Sequence, residues 1–211
     1  MKCLTIVLSI ACALFTLGCD QFKQAYDELT FEGSSEEILV KRGYTADRCV
    51  SIGIPKGWSV LERRRTLGND FYDLRVGNCI CWVEMIVEPS GAKTSEVFYQ
   101  RSVGHFSVSD YSEKCLKMFL KEYRNDRIDN GPISVTIDGI SGFQYVIRGQ
   151  HKGQEIVALL THLKSDSAFY QIVAQTRASD LDRVKYQLLA VVRSFDEVAD
   201  IQPKFRFKSL P

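Results

Sequence analysis

Two β-rich runs, Phe71–Val76 and Cys79–Glu88, are separated only by Gly77 and Asn78. Gly and Asn tolerate the positive φ angles of a tight hairpin loop, so the pair predicts two antiparallel strands. A two-residue loop sets Val76 opposite Cys79, Leu74 opposite Cys81 and Tyr72 opposite Val83. One face then carries Tyr72, Leu74, Val76, Cys79, Cys81, Val83, Met85 and Val87, with no charge among them. The other carries Asp73, Arg75, Ile80, Trp82, Glu84 and Glu88 and is partly wet. A sheet built on this hairpin needs a cover for its apolar face.

Further strands follow from period-two alternation. Val50, Ile52 and Ile54 alternate with Cys49, Ser51 and Gly53, and Pro55–Gly57 turns the chain into a second run, Trp58–Arg65. After the hairpin come two expected helices, Thr94–Phe106 and one from an Asp110 N-cap to about Tyr123, with Glu113 three residues beyond the cap. Strands resume at Ile133–Ile137, Ile140–Arg148, Gln154–Leu163 and Ala168–Thr176, divided by turns at Asp138-Gly139, residues 150–153 and residues 164–166. A last helix is expected from a Ser179 cap, its apolar stripe formed by Leu181, Val184, Leu188 and Val191. Hairpin-linked strands with helices in the middle and at the end predict an α+β domain around a mainly antiparallel sheet.

The N-terminus reads as an address. Lys2 precedes an apolar run, Leu4–Leu17, that is shorter than the roughly 20 residues a membrane span needs. It ends at Gly18-Cys19, which resembles the lipobox of bacterial lipoproteins; the resemblance implies palmitate-type acylation of the Cys19 sulfur and cleavage before it. An ordinary signal cut after Ala11-Cys12-Ala13 and an uncleaved anchor are the alternatives. Residues 1–18 are thus expected as a signal peptide, 19–46 as a polar, lipid-anchored tether, 47–196 as the domain and 197–211 as a C-terminal tail. Removing residues 1–18 takes away Lys2 and no acid, leaving 26 charges of each sign. No basic field remains to gather nucleic acid.

Export makes the cysteines candidates for oxidation. Cys115 lies on the apolar side of its expected helix, which could bring it near Cys79 or Cys81, so one disulfide from Cys115 to either is expected; four reduced thiols are the alternative. Cys79 and Cys81 cannot bridge each other, being about 6.5–7 Å apart along one strand. A C-x-C pair with no partner pair, and three scattered histidines, give no metal site. No nucleophile elbow, Walker loop or dinucleotide fingerprint is present, so neither a catalytic residue nor a cofactor is expected. Arg63 and Arg65 on one strand face, and the alternating Lys204, Phe205, Arg206 and Phe207, are candidate surface contacts for anionic groups or a membrane.

Ile54–Trp58, the turn Ile137–Gly142, the strand Phe169–Ala174 and the closing helix with Ser194-Phe195 occur in an order that resembles the PsbP-like and DcrB-like domains, a superfamily that includes Mog-type proteins. The resemblance spans about residues 47–196. It implies a three-layer α/β/α sandwich and a non-catalytic accessory or binding role, with no shared catalytic residue. The expected protein is an exported, monomeric envelope lipoprotein that binds a protein partner or small ligand at the membrane. The alternative is an envelope hydrolase or thiol enzyme that no motif reveals.

Overall fold

The computed structural model describes residues 38–45, 49–65, 72–89, 107–121 and 124–198. Among the described residues, ten strands and two α-helices follow in order: β1 Leu39–Tyr44, β2 Val50–Pro55, β3 Ser59–Arg65, β4 Tyr72–Gly77, β5 Cys81–Pro89, α1 Val108–Lys121, β6 Arg124–Ile137, β7 Ile140–His151, β8 Gln154–Lys164, β9 Ala168–Arg177, α2 Leu181–Arg193 and β10 Asp196–Glu197. Seven strands form one sheet in the order β3-β4-β5-β9-β8-β7-β6, and β1-β2-β10 form a second. Every pairing is antiparallel. The α+β class and the antiparallel sheet expected from the sequence are present.

Side-chain alternation assigns the two faces of the large sheet. Leu74, Val76, Cys81, Val83, Met85, Leu159, Leu163, Tyr170, Ile172 and Ala174 share one core with α2 residues Leu181, Val184, Leu188 and Val191, and with Val50, Ile52 and Ile54 of β2. Tyr145, Ile147, Leu160 and Val173 point to the opposite face and meet Leu116 of α1. The helices therefore cover opposite faces, with β2 beside α2, and three layers result. Both faces of β8 and β9 are buried, which explains their nearly continuous burial. Phe195, 2 % exposed, ends α2 by inserting into the α2-side core; burying a ring of this kind contributes about 1.5–3 kcal/mol.

The turns follow their residues. Asp138 and Gly139 have φ of 51° and 74°, and Lys152 and Gly153 have 50° and 78°, the paired positive values of a two-residue hairpin whose twist matches the strands.

The β4–β5 hairpin differs from expectation in register. Val76 pairs with Val83 and Leu74 with Met85, because the Asn78 carboxamide oxygen accepts the backbone N–H groups of Ile80 at 2.8 Å and Cys81 at 3.1 Å. That side-chain turn enlarges the loop and lifts Cys79 out to solvent. The shift is an even number of residues, so the apolar face keeps its identity.

Four boundaries are also corrected. Leu39–Tyr44, expected within the tether 19–46, forms β1 against β2. Glu197, expected in the tail, belongs to β10. The cap of α1 is Ser107: its hydroxyl accepts the Asp110 N–H at 3.1 Å, while the Asp110 carboxylate accepts the Ser107 N–H at 3.3 Å, a reciprocal capping arrangement. A 3-10 turn, Ala178–Asp180, precedes α2, so Ser179 is not its cap. The expected helix Thr94–Phe106 lies outside the described residues.

Candidate functional site

The face of the sheet beneath α1 carries polar side chains at strand positions that alternate with the main core. His162 on β8 is fully buried. Its Nδ1 lies 2.8 Å from the Ser112 hydroxyl of α1, and that hydroxyl lies 3.4 Å from the Tyr145 hydroxyl of β7. Burial pushes the imidazole down to about 3, so it is neutral. The Tyr111 ring stacks on Phe169 with centroids 4.6 Å apart and meets His162 edge-on at 5.9 Å.

Glu88 enters the same face from β5. Burial pushes its carboxyl up to about 7; the nearby Tyr111 acts in the opposite sense, and nearby Asp73 adds to the rise. Further along the hairpin, Arg75 pairs with Glu84 at 2.6 Å, and its guanidinium lies over the Trp82 ring, 5.4 Å from the centroid. This charged and aromatic strip is half-buried.

A serine hydroxyl on an imidazole nitrogen is the contact from which acyl-transfer enzymes build a nucleophile. Here Ser112 and His162 are both closed from solvent at 0 % exposure. In this conformation the contact fastens a helix to a sheet. The sequence reading did not single out Glu88, Tyr111, Ser112 or His162. The available signal was the position of Glu88 and His162 within strands otherwise rich in apolar residues.

The other expected sites fall in different places. Cys19, Lys204, Phe205, Arg206 and Phe207 lie outside the described residues. Arg63 and Arg65 stand opposite Leu74 and Tyr72 in the β3–β4 register, and their side chains lie outside the described residues. The expected disulfide is not formed: Cys115 is bridged to neither Cys79 nor Cys81. Cys81 faces the α2 side of the sheet, whereas Cys115 packs with Tyr111 and Phe169 on the α1 side. The helix that covers the hairpin's apolar face is α2, not the helix that carries Cys115. Among the described residues no group of three His, Cys, Asp or Glu is placed to hold a metal ion, and no helix is long and apolar enough to cross a membrane.

No family model and no curated protein sequence matches the chain. Solved structures do. LpqN of Mycobacterium tuberculosis, described as involved in cell envelope biogenesis, superposes with a TM-score of 0.51 at 10 % identity, covering 74 % of this chain and 88 % of that one. Cyanobacterial PsbP from Synechocystis sp. PCC 6803 gives 0.49 at 14 % identity, covering 79 % and 96 %. The Ran-binding protein Mog1p of Saccharomyces cerevisiae gives 0.38 at 12 % identity, covering 75 % and 95 %. At such identities the likeness is one of fold, and the superposition on LpqN carries it: the chain shares the fold of LpqN.

Proposed function

We propose that the chain is an exported, lipid-anchored accessory or binding protein of the cell envelope with no catalytic role of its own. The observation that carries this reading is the sealing of the Ser112–His162 contact inside the core, where it joins α1 to the sheet and meets no solvent. Location is supported by the apolar run that ends at Gly18-Cys19. The fold shared with LpqN, a protein involved in cell envelope biogenesis, agrees with it. In this reading residues 1–18 leave as a signal peptide and Cys19 carries the acyl chains. The domain works as a monomer on a protein partner or small ligand, with Arg63, Arg65 and the segment Lys204–Phe207 facing anionic groups. One chain gives only marginal membrane binding, whereas two or more make a stable anchor.

The test is metabolic labelling with an alkyne palmitate followed by fractionation. The wild type is expected in the membrane fraction and labelled, and Cys19→Ser unlabelled and either soluble or unprocessed. A wild-type protein that is unlabelled, free in aqueous extract and starting at Leu14 would overturn the anchor. The other reading, an envelope hydrolase, rests on the 2.8 Å Ser112–His162 contact and requires that contact to open. Covalent labelling of Ser112 by a fluorophosphonate in the native protein would establish it against the binding role.

A further inference from the structure

The sheet face beneath α1 buries two ionisable side chains, Glu88 from β5 and His162 from β8. Each leaves a polar atom, Glu88 Oε2 and His162 Nε2, buried without a hydrogen-bond partner. Consecutive residues of α1 hold the two groups. Tyr111 lies near enough to the Glu88 carboxyl to influence its ionisation, and the Ser112 hydroxyl lies 2.8 Å from His162 Nδ1. The Tyr111 ring lies edge-on to the imidazole, with centroids 5.9 Å apart.

We propose that Glu88 and His162 form a compensating acid–base pair that makes the docking of α1 on the sheet insensitive to pH across the mildly acid range. Among the described residues, the other titratable groups near the pair include Tyr111 and Cys115 on α1, Asp73 on β4 and Tyr145 on β7. Lys164 of β8 lies over the outer side of the cluster, 5.1 Å from the Phe169 centroid. The intervening residues of β9, Phe169, Gln171 and Val173, carry no charge.

The two groups act with opposite sign. Burial raises Glu88 from 4.5 to about 7, so its favourable contribution is complete below about 4.5 and is lost as pH rises through 7. Burial lowers His162 from 6.5 to about 3, so its contribution is complete above about 6.5 and is lost as pH falls toward 3. Between those ordinary values the folded domain keeps a proton on Glu88, while the unfolded chain keeps one on His162. Both states then bind the same number of protons at the pair, and the pair adds no slope of stability with pH. Either group alone would impose a steep one.

The experiment is urea unfolding of the full chain in detergent micelles, followed by tryptophan fluorescence, at pH 4.5 and 6.5. From the lower to the higher pH the folding constant of His162→Gln is expected to fall about 40-fold and that of Glu88→Gln to rise about 50-fold, while that of the wild type stays nearly level. The double variant is expected to follow the wild type. Single variants that keep the wild-type profile would overturn the proposal. Should a variant fail to fold, carbon-13 NMR of the wild type decides: the Glu88 carboxyl titrating near neutrality, with the His162 ring unprotonated down to pH 4.5, supports the pair. Titration of both at their ordinary values sinks it.

Discussion

Tyr170 of β9 donates its hydroxyl to the Glu197 carboxylate of β10 at 2.5 Å, joining the large sheet to the last strand of the small one. Ser165 and Ser167, in the turn before β9, donate to the same oxygen. Hydrogen bonds to a charged group contribute about 1.5–3 kcal/mol, and removing one donor of three leaves the carboxylate still partnered. Tyr170→Phe is therefore expected to lose about 1–2 kcal/mol in a urea titration. Glu197→Gln, which removes the charge from all three bonds, is expected to lose more. Equal stability of Tyr170→Phe and wild type would show that the contact adds nothing.

Trp58 is 4 % exposed and donates its indole N–H to the Gln187 side-chain oxygen of α2 at 3.3 Å. It closes the core where the chain turns from β2 into β3. Trp58→Ala is expected to cost about 3–5 kcal/mol. A loss below about 1 kcal/mol would place the ring outside the core.

Gly142 on β7 lies against the backbone of β8. A Cβ at that position would come 1.9 Å from the His162 carbonyl oxygen. A neighbouring strand cannot swing aside as a flexible side chain can, so Gly142→Ala is expected to cost about 3 kcal/mol or more. Thermal unfolding of the variant at the wild-type temperature would refute this.

Of the four cysteines after residue 19, Cys79 is exposed and the others are buried. Burial pushes the Cys81 thiol up to about 12, with Asp180 and Cys79 adding to the rise, so little thiolate forms there. Maleimide added to the native protein at pH 8 is expected to modify Cys79 and to leave Cys49, Cys81 and Cys115 unmodified until denaturant is present. A peptide joining Cys81 to Cys115 in a non-reducing digest would contradict the placement of these residues on opposite faces.

The apolar face of the β4–β5 hairpin was legible because alternation alone decides which side chains go inside. Its register was not, because Asn78 reads equally well as a hairpin residue and as the head of a side-chain turn. β1 escaped notice for a related reason. Val40, Lys41, Arg42 and Tyr44 are exposed in it, so no apolar period marks the strand, and pairing with β2 alone defines it. Arg42 is instead held by Ser51 and Asp196, partners 9 and 154 residues away in sequence. The polar cluster under α1 depends on long-range placement in the same way. Glu88 sits on the face that reads as partly wet, and it is buried on the face that α1, beginning beyond residue 107, packs against.

The small sheet has a mechanical consequence. β1 and β10 both run antiparallel to β2, one on each edge, so they run parallel to each other. Leu39, where the chain enters, pairs with Pro55 at one end of β2, and Glu197, near the exit, pairs with Val50 at the other. Tension between the two flanks therefore acts along the strands and across their hydrogen bonds, which lie perpendicular to it. The bonds of each ladder are sheared together and not peeled one by one. A pull between Leu39 and Glu197 meets the domain in its resistant direction.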